Sequence, residues 1–140
     1  MLRYANYSMV SVMNFATFIP ECNKIYISDQ TRFWHVATNF MGQLATHVLN
    51  DMEVKYAYDE LPYNDGKIYG YVQCTPDLTD SDCGRCLRTN IDRLSKYCYG
   101  KEGARVLAAS CDVRFEIYKF LQFSAASSQN QGFIINLILL

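Results

Sequence analysis

The sequence has little proline or glycine, almost no net charge and no long apolar run. Only 3 of its 140 residues are proline and 7 are glycine, so few long flexible linkers are expected. The 13 basic and 14 acidic residues give a formal net charge of −1, and lysine and arginine occur singly. This balance argues against a protein that binds nucleic acid through its phosphates. No apolar stretch reaches the roughly 18 residues that span a bilayer, so no membrane span is predicted.

Apolar and aromatic residues are what the sequence has in quantity. Of the whole chain 50% is apolar, 14% is aromatic and 19% is charged, which is typical of a globular protein. A chain of 140 residues has about the length of one domain. It can bury roughly two thirds of its unfolded surface, which is enough for a sizeable core.

Six cysteines are present, and an even number at this density favours a disulfide framework in an extracellular protein. They are Cys22, Cys74, Cys83, Cys86, Cys98 and Cys111. Spacing alone does not select one set of pairs. Three alternatives stay open: buried free thiols in a cytosolic protein, a zinc site on Cys83 and Cys86, and a redox pair at the same two residues. Zinc sites usually have a second short-spaced pair of ligands, which the sequence lacks.

The two ends of the chain differ from its middle. No secretory signal is visible at the start. The segment Leu2–Tyr7 resembles Val113–Tyr118, so we predict that residues 1–13 are the remnant of an upstream repeat and that the chain is a fragment of a tandem protein. A sequon, Asn6-Tyr7-Ser8, predicts N-glycosylation of Asn6 on a secreted surface. Residues 121–140 form a low-complexity and hydrophobic tail with no function that we can infer.

Two amphipathic helices are predicted from the spacing of apolar residues. Over residues 33–52 they recur every three or four positions, as they do on one face of a helix. A second helix follows Thr79, which supplies a cap while the next acidic residues suit a first turn. Cys83 and Cys86 fall on the apolar face of this helix, so we expect a sheet to present their partners.

Strands fill the remaining middle segments. Val54–Tyr58 and Lys67–Cys74 are rich in tyrosine, valine and isoleucine and flank turn-forming residues at 62–66, which predicts a hairpin with a longer loop. From Cys111 to Tyr118 apolar and polar residues alternate, as in a half-buried strand. The order of helix, hairpin, helix and strands indicates an α+β class with an antiparallel sheet.

The spacing of three cysteines carries a family resemblance. Eight residues separate Cys74 from Cys83 and two separate Cys83 from Cys86, which resembles the signature of the ginkbilobin-like, or salt-stress-response/antifungal, domain. This domain occurs in plant cysteine-rich repeat secretory proteins and cysteine-rich receptor-like kinases. The flanking Tyr69–Gln73, Gly103–Val106 and Cys111–Glu116 also resemble the family, and the likeness runs from about Phe15 to Phe120.

The resemblance implies both a fold and a location. The fold is α+β, with two helices packed on an antiparallel sheet of about five strands. Carried over position by position, the family's disulfides are Cys22–Cys98, Cys74–Cys83 and Cys86–Cys111. The expected location is the apoplast, or the extracellular side of the plasma membrane in the parent protein. A tandem sister domain is an expected partner.

Some members of the family bind mannose through an asparagine, an arginine and a glutamate, and the resemblance carries these roles to Asn23, Arg105 and Glu116. Glutamate accepts hydrogen bonds, arginine donates them and asparagine does both, which suits sugar hydroxyls. The alternative is a surface ion pair of Arg105 with Glu116, and a turn at Asn23. The two charged residues lie eleven positions apart, on opposite faces of an unbroken strand, so a bulge or turn near residues 110–112 is needed.

No catalytic residue, metal site or cofactor is predicted, and the chain is expected not to be an enzyme. Asp112 and Glu116 resemble the acid pair of a glycosidase in residue type, but no acid on a second element accompanies them. His35 and His47 are interpreted as structural residues of the first helix.

The sequence therefore predicts one ginkbilobin-like domain over residues 14–120. Its expected function is that of a secreted, mannose-type carbohydrate-binding module in plant defence or stress response, with antifungal activity. The alternative is an extracellular protein-interaction ectodomain of a tandem-repeat secretory protein or receptor-like kinase, in which the three polar residues bind no sugar.

Overall fold

The computed structural model describes residues 17–50 and 54–121. The predictions for Asn6, for residues 1–13 and for residues 122–140 lie outside this part of the chain. Within it, two helices and five strands follow one another. They are β1 (Phe18–Cys22), α1 (Gln30–Asn50), β2 (Tyr56–Tyr63), β3 (Gly66–Cys74), α2 (Asp80–Cys98), β4 (Ala104–Ala108) and β5 (Cys111–Glu116).

The strands form one antiparallel sheet in the order β1-β4-β5-β3-β2. Both helices pack on the same face of this sheet, and their buried apolar residues join those of the strands in a single core. The predicted α+β class and the five-stranded antiparallel sheet are confirmed. The free edges of the sheet are β1 on one side and β2 on the other.

Helix α1 begins three residues before the predicted start, at Gln30. Its apolar stripe is buried as its period requires, from Phe33 at 0% exposure to Val48 at 3%. A glycine in β3 lets this stripe approach the sheet closely, since a Cβ at Gly70 would lie 2.7 Å from a ring carbon of Phe40. Close helix–sheet packing therefore depends on the absence of a side chain at position 70.

Helix α2 begins where the sequence predicts. The Thr79 hydroxyl accepts a hydrogen bond of 3.1 Å from the backbone N–H of Asp82, which caps the first turn. Asp80 and Asp82 place negative charge at the positive end of the helix dipole. Cys83 and Cys86 both lie on the buried face, as predicted.

The β2–β3 hairpin corrects the predicted long loop. The strands pair as far as Tyr63 and Gly66, and only residues 64–65 form the turn. Asn64 takes a φ of 51°, a left-handed conformation that asparagine tolerates better than most residues. Pro62 belongs to the strand because β2 is an edge, where a missing N–H costs no ladder hydrogen bond.

All six cysteines lie in the described residues, and all form disulfides. The pairs are Cys22–Cys98, Cys74–Cys83 and Cys86–Cys111, which confirms the pairing implied by the family resemblance. They join α2 to β1, β3 and β5 in turn. No thiol is left for the zinc site or the redox pair considered from the sequence.

The outer face of the sheet, opposite the helices, corrects the expectation of a half-buried last strand. All six residues of β5 are buried, including the polar Asp112, Arg114 and Glu116 on this outer face. Phe120 and Leu121 are fully buried there against Tyr71 of β3. Ile117, which the alternation placed inside, is 38% exposed because β5 ends one residue earlier.

Candidate functional site

Strands β1, β4 and β5 bring together the three residues expected to bind sugar. Arg105 in β4 pairs with Glu21 on one side and with Arg114 on the other, so these three side chains share the outer face. Glu116 is two residues beyond Arg114 and therefore points the same way. The turn required by the eleven-residue spacing lies at residues 109–110, between β4 and β5.

A glycine separates Asn23 from Glu116 across the sheet. The backbone N–H of Asn23 donates a 3.0 Å hydrogen bond to the carbonyl of Gly103. A Cβ at position 103 would lie 2.6 Å from Glu116 Cδ, so the carboxylate occupies the space that a side chain would fill. Gly103 begins the family-like stretch Gly103–Val106, but no role was predicted for it.

Arg105 is held by an aspartate. Its Nε and Nη2 donate hydrogen bonds of 3.0 and 2.7 Å to the two carboxylate oxygens of Asp112. Both side chains are mostly covered, with 14% and 12% of their surfaces exposed. Glu21 Oε1 lies 3.9 Å from Arg105 Nη1, which is an ion-pair distance but not a hydrogen bond.

Glu116 is held by an arginine of its own strand. Arg114 Nε donates a 3.0 Å hydrogen bond to Glu116 Oε2, and Arg114 Nη2 donates one of 3.1 Å to the hydroxyl of Tyr118. The guanidinium also stacks on Phe120, with 4.2 Å between its central carbon and the ring centroid. The Arg114 side chain thus connects the Glu116 carboxylate to Tyr118 and Phe120, which follow β5.

These contacts revise the ion pair considered from the sequence. Within the described residues, the hydrogen-bonded ion pairs of these side chains are Arg105–Asp112 and Arg114–Glu116, and both are largely buried rather than on the surface. Sequence reasoning missed Asp112 and Arg114 as partners, because the partner of Arg105 depends on the β4–β5 register. The signal that could have found them is the regular alternation of charged residues at 112, 114 and 116.

Burial shifts the pKa of Glu116 and that of Arg105 in one direction, and the charged partner of each shifts it in the other. Burial raises the pKa of Glu116 above its ordinary value, and this outweighs the lowering by Arg114 and by a hydrogen-bond contribution from Asn23. Burial lowers the pKa of Arg105, but the hydrogen bonds and charge of Asp112 more than offset it, so the net shift is upward. Arg105 is therefore charged at any physiological pH.

Asn23 completes the arrangement at the end of β1. Its side-chain oxygen accepts a 2.8 Å hydrogen bond from the backbone N–H of Ile25, so it does form the turn proposed as its structural role. It also lies near enough to Glu116 to affect that carboxyl's pKa. Within the described residues, Glu116 Oε1 is buried and meets no donor in normal hydrogen-bond geometry.

A separate groove of about 350 Å³ lies between α1 and β2. Gln43, His47 and Asp59 line it above the buried Phe40 and Leu44. None of the three residues expected to bind sugar borders this groove. His35 and His47 are both exposed on α1.

Comparison with known proteins identifies the family. The family model for salt stress response/antifungal domains matches residues 21–118. The chain belongs to this family. It is 35% identical over 136 residues to cysteine-rich receptor-like protein kinase 25 of Arabidopsis thaliana, covering 91% of this chain and 19% of that protein. It is 33% identical over 128 residues to an antimicrobial ginkbilobin-2-like protein of Castanea crenata, covering 86% and 50%.

Solved structures share the fold of this family member. The tandem DUF26 ectodomain of the Arabidopsis thaliana receptor-like protein PDLP8 matches with a TM-score of 0.64 at 22% identity, over 80% of this chain and 58% of that one. The chain spans half or less of the length of the two curated relatives described above. Its relatives include secretory proteins and a receptor-like kinase, and its structural neighbours are ectodomains. Among the described residues, no helix has the length and apolar character needed to cross a membrane.

Proposed function

We propose that the chain is an extracellular carbohydrate-binding module of plant defence or stress response, with antifungal activity, that takes a mannose-type glycan at Asn23, Arg105 and Glu116. The observation that carries this proposal is the convergence of the three side chains on one face of β1, β4 and β5. Residues 23, 105 and 116 are far apart in the sequence, and the sheet register alone unites them. The antimicrobial name of the Castanea crenata relative supports the biological class.

Asn23 lies at the rim of the proposed site, and Glu116 lies in its interior. Arg105 keeps its Nη1 N–H groups for a ligand, because Asp112 uses Nε and Nη2. Asn23 is half-buried at the rim, and the Glu116 carboxylate lies behind it. A sugar hydroxyl entering between Asn23 and Arg105 would accept hydrogen bonds from Arg105 Nη1 and from the Asn23 amide, with the buried Glu116 carboxylate behind them. Two neighbouring hydroxyls held in this way would fix the orientation of a hexose.

Glycan binding by matched asparagine variants tests the proposal. Asn23→Ala removes the amide at the rim, whereas Asn39→Ala makes the same change on the exposed side of α1. We expect selective binding of mannose-type glycans on an array by the wild-type protein and by Asn39→Ala, and loss of about tenfold or more in affinity with Asn23→Ala. Thermal melts confirm that both variants are folded.

A second variant separates charge from shape. Glu116→Gln keeps the size of the side chain but has only one accepting oxygen, so it weakens a contact that needs a carboxylate. If the wild-type protein selects no glycan, or if Asn23→Ala and Glu116→Gln both bind mannose normally while folded, the proposal is wrong.

The second candidate is a protein-interaction ectodomain, and an exposed apolar patch favours it. Four large hydrophobic side chains between 46% and 61% exposed lie on the segments that the Cys22–Cys98 disulfide joins. They are Ile25, Tyr26, Tyr97 and Tyr99. Exposed aromatic side chains of this kind are common at protein interfaces. The partner would be an extracellular protein or a tandem sister domain, as in the ectodomains that share the fold.

Association measurements test this candidate separately. Tyr26→Ser and Tyr97→Ser make the patch polar without touching Asn23, Arg105 or Glu116. We expect them to weaken binding to a sister domain of the tandem parent protein in sedimentation velocity, and to leave glycan binding unchanged. Lys119→Ser, at another exposed position, serves as the control. Unchanged sedimentation of both tyrosine variants would exclude the patch as an interface.

A further inference from the structure

The Arg105–Asp112 pair has the geometry of an arginine bound to an acidic ligand. Two parallel hydrogen bonds of 3.0 and 2.7 Å join Nε and Nη2 to the two oxygens of one carboxylate. These two donors, Nε and Nη2, which we call the fork, are the part of arginine that recognises free carboxylates and phosphates most strongly. In this protein the Asp112 carboxylate already occupies the fork.

The other charges around Arg105 reinforce this occupation. Glu21 lies 3.9 Å from the remaining nitrogen, Nη1, and Glu102 is near enough to raise the pKa of Glu116. Arg114 offers no accessible replacement, because its Nε and Nη2 bond Glu116 and Tyr118 and its remaining nitrogen, Nη1, is buried. The charges of Glu21, Arg105, Asp112, Arg114 and Glu116 sum to −1. The surroundings therefore repel an incoming anion.

We infer that Asp112 is a specificity-determining residue, which restricts the site to neutral sugars and excludes acidic ones. This inference rests on the proposed glycan site and names its ligand class. A neutral hydroxyl needs only the single donors of Arg105 Nη1, which Asp112 leaves available. A uronic acid would have to displace the Asp112 carboxylate from the fork or bury its charge beside Glu21. The site would thus discriminate between the two sugar classes both by repelling a carboxylate at Asp112 and by attracting a neutral hydroxyl to Arg105 Nη1.

The experiment compares two ligands that differ at one carbon. Methyl α-mannopyranoside has a neutral hydroxymethyl group at C6. Methyl α-mannopyranosiduronate, called mannuronate below, has a free carboxylate there. Their affinities are measured by calorimetry for the wild-type protein and for Asp112→Asn, with the side-chain Nε–H signal of Arg105 followed by NMR. For the wild-type protein we expect mannuronate to bind at least about tenfold more weakly than mannoside.

Opening the fork should reverse this preference. In Asp112→Asn the fork loses its anionic partner, so mannuronate affinity should rise by about tenfold or more and shift the Arg105 signal. Glu21→Gln removes the same charge from a side chain that is 60% exposed and does not occupy the fork, so we expect a smaller gain in mannuronate affinity, of less than about twofold. The double variant Asp112→Asn/Arg105→Gln should lose the gain. If melts show that Asp112→Asn is unfolded, Asp112→Ser replaces it.

Every outcome decides one of the two ideas. Equal wild-type affinities for the two ligands, or an unchanged ratio in folded Asp112→Asn, would overturn the role of Asp112. If the wild-type protein binds neither ligand, the proposed glycan function fails. In that case mannuronate binding that appears in Asp112→Asn and disappears in the double variant still supports occupation of the fork by Asp112, and its absence contradicts it.

Discussion

The two faces of the sheet are stabilised by different means. The helix side is an apolar core built from α1, α2 and the inward residues of all five strands, and three disulfides lie within or beside it. The outer side carries the two buried ion pairs and a small cluster of Tyr71, Phe120 and Leu121. Burial of charge requires good geometry and hydrogen bonding to be tolerated. The outer face is therefore the more sensitive to single polar changes, and it is also where the candidate site lies.

Removal of the disulfides should have the largest effect, because they hold the helix side together. By loop entropy, Cys22–Cys98 with its separation of 76 residues contributes about 4–5 kcal/mol, and Cys74–Cys83 with a separation of 9 contributes about 2.5 kcal/mol. We expect reduction of all three to unfold the protein. The Cys22→Ala/Cys98→Ala variant should lose more stability than Cys74→Ala/Cys83→Ala in urea denaturation. The reverse order would show that packing, not loop closure, dominates.

Truncation of one buried phenylalanine on each face compares the stability of the two faces directly. Phe115 on the helix side and Phe120 on the outer side are both fully buried. Truncation of a buried phenylalanine costs about 3–5 kcal/mol. We expect Phe115→Ala to reach this range and Phe120→Ala to cost less, since the outer cluster is small and can collapse. Phe120→Ala should also release Arg114, which stacks on its ring. Equal losses in thermal denaturation would contradict the difference between the faces.

A glycine pair gives a smaller and more local test. Gly103→Ala places a methyl group on the Glu116 carboxylate, whereas Gly66→Ala meets nothing within 4 Å. Overpacking of this kind costs about 1–3 kcal/mol. We therefore expect Gly103→Ala to be destabilised in chemical denaturation by that amount relative to Gly66→Ala. It should also shift the NMR signals of Glu116 and Asn23, and unshifted signals would mean that the carboxylate does not fill this space.

The smallest expected effect is a pH dependence from the outer face. Because the pKa of Glu116 is raised by burial, the folded protein holds its proton more tightly than the unfolded chain. Its contribution to stability is fully present below the ordinary carboxyl range and is lost as pH rises through the raised pKa. The free energy of unfolding of the wild-type protein, relative to Glu116→Gln, should therefore fall over the interval from the ordinary carboxyl pKa of 4.5 up through the raised pKa. A rise over this interval would show that Arg114 dominates instead.

The helix side was largely predictable from the sequence. Apolar spacing located α1, Thr79 and its acidic neighbours located α2, and the cysteine spacing identified the family whose disulfides this chain has. These signals are local or depend on a few well-spaced residues. The short hairpin was predicted less well, because a proline at an edge strand resembles a loop signal in the sequence.

The outer face was less predictable, because its contacts depend on strand register. The resemblance placed Asn23, Arg105 and Glu116 as a set, but it did not give their partners Asp112 and Arg114. Strand β1 lacks a clear alternation and contains Pro20, so no sequence pattern predicted its pairing with β4. The Arg105–Asp112 pair follows only once β4 and β5 are aligned, whereas Arg114 and Glu116 are two residues apart on the same strand.

The candidate site depends on the Cys22–Cys98 disulfide. Cys22 is at the end of an edge strand and is solvent-exposed, and Asn23 directly follows it. Loss of this bond would release the end of β1, and with it Asn23, from the end of α2. We therefore expect the proposed site to be complete only in an oxidising environment, where this disulfide persists.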